Sequence, residues 1–136
     1  MRVKKTKYGD YETRILFPVF ANYHVLVVFT DDFQKSWDAR FSTIVVTSDE
    51  TMAFHWHHKP SDGHSRLFFK LGNCSSGVVA HECWHCIRTM LLDWVQAGLE
   101  DEVVAYHLDY LVQAVTDFKN QLIDQKVGVK SRSKKR

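Results

Sequence analysis

The sequence predicts an α+β fold: a mainly antiparallel sheet with one short helix, followed by two C-terminal helices. Residues 14–71 hold short apolar, β-branched and aromatic runs separated by turn residues, which is the signature of strands. Residues 76–124 hold two longer stretches with helical period. The chain has 136 residues, 45% of them hydrophobic and 13% aromatic, which suffices for one compact core and no more.

Taken in order, Arg14 to Phe20 and Tyr23 to Thr30 are strand-like runs joined by a tight Ala21-Asn22 turn, a hairpin. Asp31 can cap a short helix to about Phe41, because Phe33, Trp37 and Phe41 recur every four residues. Thr43 to Thr47 and Met52 to His58 follow as strands around Ser48-Asp49-Glu50. A Lys59-Pro60-Ser61-Asp62-Gly63 turn then leads into His64 to Leu71, so that Met52 to His58 and His64 to Leu71 form a second hairpin. Its returning strand, Arg66 to Leu71, is either an ordinary core strand or one that lies along a cleft and pairs with an extended ligand.

From Val78 to Val95 the apolar residues Val79, Cys83, Trp84, Ile87, Met90, Leu91, Trp94 and Val95 share one helical face. Ser75 or Ser76 can cap its start and Gly98 can end it. His81, Glu82 and His85 lie off the apolar face, and they spell HExxH. Residues four apart on a helix stand about 5 to 6 Å apart at Cβ, so both imidazoles can grip one Zn²⁺ while Glu82 takes a proton from bound water. A second helix runs from Glu102 to about Asp124. Residues 1–125 therefore read as one domain, strand-rich over 14–71 and carrying the metal helices over 76–124.

The helix beginning Ala80-His81-Glu82-Cys83-Trp84-His85, with the later Glu102-x-x-Ala105-Tyr106-x-x-x-Tyr110-Leu111, resembles small HExxH zincin-like proteins, often encoded by phages and prophages. It is similar more distantly to gluzincin metallopeptidases. The resemblance covers roughly residues 64–118. It implies a minimal zincin-like domain and a zinc metallopeptidase, with His81, His85 and Glu102 as ligands and Glu82 as general base. It also implies a phage or prophage setting, with roles in virion assembly or against host proteins. Where larger gluzincins carry an aspartate four residues after the ligand glutamate, this chain has Tyr106, so support of a ligand histidine falls to Asp109 or Asp93. Helical geometry adds a second possibility for the third ligand: in a straight antiparallel helix pair Asp109, not Glu102, stands level with His85. The acids Glu100-Asp101-Glu102 also suit a helix N-terminus by their charge alone.

Other residues carry weaker signals. Tyr106, His107 and Tyr110 follow Glu102 along its helix and are candidates to stabilise an oxyanion, Tyr106 first among them, or else to pack the helix pair. His55 and His57 alternate onto one face of their strand, facing solvent or reaching the cleft, and His58 and His64 flank the turn. Cys83 and Cys86 form a CxxC near Cys74, but a thiolate zinc knuckle sits in a turn, and on a helix these are small core residues.

Three cysteines, an odd number, argue against a disulfide framework and for a reducing, cytoplasmic setting, the host cytoplasm for a phage protein. Met1 to Gly9 has no signal-peptide core and no apolar run reaches membrane length. Charge is uneven. Four basic residues fall in 1–7 and six in 126–136, leaving eight basic against sixteen acidic residues between. Lys126 to Arg136 reads as a disordered basic tail able to meet an acidic partner or nucleic acid. The expectation is a hydrolase acting on a peptide or protein substrate; the other reading is a zincin-fold binding or virion-assembly protein with a structural metal.

Overall fold

The chain begins its sheet with a hairpin of β1 (Tyr11–Phe17) and β2 (Tyr23–Thr30), paired antiparallel with Tyr11 opposite Phe29 and Phe17 opposite Tyr23. A computed structural model describes residues 2–20, 22–42, 53–56, 64–72, 74–96 and 98–134, with side chains as far as Lys126. β1 stops at Phe17, short of the expected Phe20, because Pro18 has no N–H to pair and opens a single 3₁₀ turn, Pro18–Phe20. Asn22 closes the hairpin at φ 61°, a left-handed conformation that asparagine tolerates.

α1 (Phe33–Asp38) is capped by Asp32, one residue after the expected Asp31; its carboxylate accepts from the Lys35 N–H at 3.1 Å. β3 (Ala53–Trp56) and β4 (His64–Lys70) are antiparallel, as the expected second hairpin requires. The expected strand Thr43 to Thr47, the turn residues 59–63, and His57 and His58 lie outside the described residues.

The strand order is β1-β2-β4-β3. β4 pairs parallel with β2, from His24 opposite His64 to Thr30 opposite Lys70. The sheet is therefore mixed, not mainly antiparallel: the chain leaves β2 through α1, lays β3 at the far edge and returns with β4 into the middle. The central position explains the unbroken apolar run Leu67-Phe68-Phe69, all fully buried.

α2 (Ser76–Thr89) continues through a π-helical turn, Met90–Trp94, and α3 (Asp101–Lys134) returns antiparallel to it. Lys119 Nζ donates to the Cys74 carbonyl at 3.1 Å near the start of α2, and the Trp94 indole donates to the Phe20 carbonyl at 2.9 Å near its end. Gln96 and Gly98 take left-handed φ of 58° and 80° and reverse the chain between the helices. α3 runs past the expected end at Asp124. No described helix is long and apolar enough to cross a membrane.

Both helices cover one sheet face. Val25, Val27, Phe29, Leu67 and Phe69 pack there against Val79, Cys83, Cys86, Ile87 and Met90 of α2 and Leu111, Val115 and Phe118 of α3. α1 covers part of the other face, where Trp37 meets Phe41, Phe54, Trp56 and Phe68 with centroids 4.6 to 5.9 Å apart. The N-terminal segment is held by Asp10, whose carboxylate takes two hydrogen bonds of 2.6 Å from the Arg40 guanidinium. Gln125 of α3 clasps both the N–H and the carbonyl of Val3 at 2.9 Å.

Candidate metal centre

α2 starts where the sequence says it should. Ser75 caps it by accepting from the Val78 N–H at 3.2 Å, and the core takes Val79, Cys83, Cys86, Ile87 and Met90 on one side. That rotation leaves His81 and His85 exposed, one turn apart, and Glu82 half-buried beside them. The two Nε2 atoms face each other at 3.2 Å, with ring centroids 4.8 Å apart.

β3 forms the opposite wall. Alternation along the strand sends Phe54 and Trp56 to the α1 side and Ala53 and His55 to the α2 side. The His55 ring lies parallel to that of His85 at 6.2 Å, and its Nε2 is 3.2 Å from Ser65 Oγ. Ser65, fully buried on β4, also bonds the Tyr23 hydroxyl and the Cys86 thiol, so a buried polar chain runs under α2 to the histidines. The Glu82 carboxylate accepts from the His55 backbone N–H at the strand edge. Burial raises the Glu82 pKa above the ordinary glutamate value, against the opposing pull of His81, His85 and that hydrogen bond. An open groove of about 390 Å³ lined by Ala53, Ser75, Gly77, Val78, His81 and Glu82 runs between β3 and the first turns of α2.

No family model, curated protein or solved structure matches this chain. The geometry alone therefore carries the chemistry.

The remaining expected site residues are elsewhere. α3 lies over β1, at the other edge of the sheet, with His107 against Phe17 and Phe20. Three strand spacings of about 4.8 Å separate that edge from β3. Tyr106 is 71% exposed and lines a groove with Leu16, Phe17, Pro18, Val19, His107 and Tyr110, far from Glu82. Asp109 lies in another groove, with Tyr106, Tyr110, Gln113 and Asp117. Glu102 is exposed in the first turn of α3, where its charge suits the helix dipole. Among the described residues no three His, Cys, Asp or Glu side chains converge on a common point, so neither Glu102 nor Asp109 joins His81 and His85. The histidines face β3, not the α2–α3 seam, because the apolar residues of α2 claim that seam.

The thiols take no part in a metal site of this shape. Cys83 and Cys86 are fully buried, and burial pushes both upward, Cys86 to about 12, so both stay protonated at neutral pH. β4, paired on both sides, has no edge to offer a ligand. β3 is the strand beside the groove, and Arg66 to Leu71, open in the sequence between a cleft strand and a core strand, is a core strand. Alternation along its strand pairs His55 with His57 but does not say which face looks at the helix; the fold turns His55 to the site.

Proposed function

We propose that this protein is a zinc-dependent, metallopeptidase-like hydrolase in which His81 and His85 hold the ion and Glu82 manages the proton of the attacking water. The observation that carries the reading is the 3.2 Å between the two Nε2 atoms. Two ligands at about 2.0 to 2.1 Å in tetrahedral geometry stand about 3.3 Å apart, so the pair fits a shared Zn²⁺ with almost no movement. Both rings are exposed on the side of α2 turned away from its buried residues, where an ion and a substrate can reach them.

A bound Zn²⁺ lowers the pKa of coordinated water and polarises a carbonyl. The chain's own part is described by its residues. Glu82, half-buried and with its pKa raised by burial, stands beside both imidazoles, where it can accept a proton from water and return it to a leaving amine. The His55 N–H holds its carboxylate towards the groove. β3 stands beside the groove, and an extended peptide lying along it is the substrate this reading expects.

A third protein ligand enters this reading only through the resemblance, as Glu102. The phage or prophage setting rests on the same resemblance. Zinc content tests the core of the proposal: about one zinc per chain is expected in the purified protein and none in His81→Ala/His85→Ala. Stoichiometric zinc retained by the double variant overturns it.

A further inference from the structure

At the β1 edge of the sheet, the end of β1 and the first half of α3 enclose an apolar groove of about 160 Å³. Phe17 is its buried part, and Leu16, Val19, Tyr106 and Tyr110 stand around it at 51%, 83%, 71% and 46% exposure. Large apolar side chains this exposed and this close together form a patch, which scattered surface residues do not. Tyr106 and Tyr110, one turn apart on α3, also line a second groove of about 350 Å³ with Asp109, Gln113 and Asp117. The two tyrosines are thus a ridge with apolar surface on one side and carboxylates on the other.

Charge divides α3 lengthwise. Residues 101–118 hold Asp101, Glu102, Asp109 and Asp117, all exposed, and no lysine or arginine. Residues 126–136 hold six bases and no acid. Lys119, between the two blocks, is turned to the Cys74 carbonyl. Because α3 is one helix from Asp101 to Lys134, at 1.5 Å per residue Lys130 stands about 30 Å from Tyr110 along the same rod. A chain therefore cannot lay its own basic segment on its own tyrosines, but a second copy turned end for end can. A two-fold axis near the middle of α3 sets each basic segment at the other copy's ridge and closes the pair with two identical contacts.

We propose that the Tyr106–Tyr110 ridge and its two grooves receive the basic segment 126–136 of a second copy, in an antiparallel two-fold dimer. Lysine and arginine heads are attracted to the faces of tyrosine rings and to the carboxylates beside them. Their aliphatic stems, with Val127 and Val129, cover the apolar groove. Charge complementarity selects this occupant, since six bases without an acid are the densest positive run of the chain. The other basic run, residues 1–7, is tied through Val3 to Gln125, far along α3 from the ridge. The surface lies at the edge of the sheet away from β3 and is independent of the zinc reading.

Sedimentation equilibrium of the full chain, over a range of protein and salt concentrations, tests this. The expected result is a monomer–dimer equilibrium that weakens as salt rises. Asp109→Lys/Asp117→Lys reverses the groove and Lys130→Glu/Arg132→Glu reverses the segment. Each alone should raise the dimer dissociation constant at least about tenfold. Mixed in equal amounts the two variants should dimerise again, because both contacts then join unlike charges. Circular dichroism checks that the helices persist, and Tyr106→Ala, a truncation at an exposed position, should weaken the dimer without any change of charge. His81→Ala/His85→Ala should dimerise as the natural chain does. A monomer at every concentration, a dimer indifferent to both reversals and to Tyr106→Ala, or no recovery on mixing overturns the proposal. So does a monomer that binds a separate oligolysine peptide through Asp109 and Asp117, which would give the ridge to another basic partner.

Discussion

Zinc should stabilise the folded protein by an amount that His81→Ala/His85→Ala abolishes. Both side chains are exposed on α2, so their removal costs the metal-free protein within about 0.5 kcal/mol. The difference between the two forms in zinc therefore isolates metal linkage. For one site at 100 times its dissociation constant the linkage is about 2.7 kcal/mol. With 136 residues, an unfolding entropy of about 2.1 cal/mol/K per residue comes to about 0.29 kcal/mol/K, and the midpoint should rise by about 9 °C. Scanning calorimetry with and without zinc, followed by a chelator to reverse the shift, reads this directly. The double variant should shift by under about 2 °C. An equal shift in both forms would mean that zinc binds through other residues and that the 3.2 Å approach of the two imidazoles is an ordinary surface contact.

Zinc titrations of Glu102→Ala and Asp109→Ala separate resemblance from geometry. The position of α3 over β1 predicts affinities within a few-fold of the natural chain, and a loss beyond about 10- to 100-fold in Glu102→Ala would make Glu102 a ligand and require α3 to shift. Asp10→Ala should cost about 3 kcal/mol in denaturant melts, because the buried Arg40 guanidinium loses its two shortest hydrogen bonds and keeps the Ser36 carbonyl at 3.0 Å and Glu12 at 3.8 Å. Burial works to raise the Asp10 pKa, but hydrogen bonds from Arg40, Ser36 and Thr6 outweigh it and the net shift is downward. The stability it confers is thus full above the ordinary aspartate value and is lost as pH falls through its lowered value. An acid transition unchanged in Asp10→Ala would refute that role.

The helices were legible because their signals are local. Val79, Cys83, Ile87 and Met90 repeat at helical spacing, and Ser75 and Gly98 mark the ends, so α2 was expected at Val78 to Val95 and lies at Ser76–Trp94. Cys83 and Cys86, expected as small core residues and not as a thiolate metal knuckle, are both fully buried. The parallel pairing of β2 with β4 was not legible, since strand order depends on where the chain after α1 lands. The same non-local fact decides the site: once β3 is at the edge, His55 faces His85, and once α3 lies over β1, Tyr106 and Asp109 cannot. Spacing placed two imidazoles and a carboxylate on one helix, but a third partner depends on helix crossing, which residue pattern does not encode.

The most direct test of hydrolysis is cleavage of a mixed peptide library by the zinc-loaded protein and by Glu82→Gln, with zinc measured in both samples. Glu82 bonds the His55 N–H and its proposed role is to water, so the glutamine form should keep its fold and its zinc. New peptide termini should appear with the natural chain and form at least about 100-fold more slowly with Glu82→Gln. Equal cleavage by the two zinc-loaded forms, or no cleavage by the natural one, would contradict the hydrolase and leave His81 and His85 as the ligands of a structural ion.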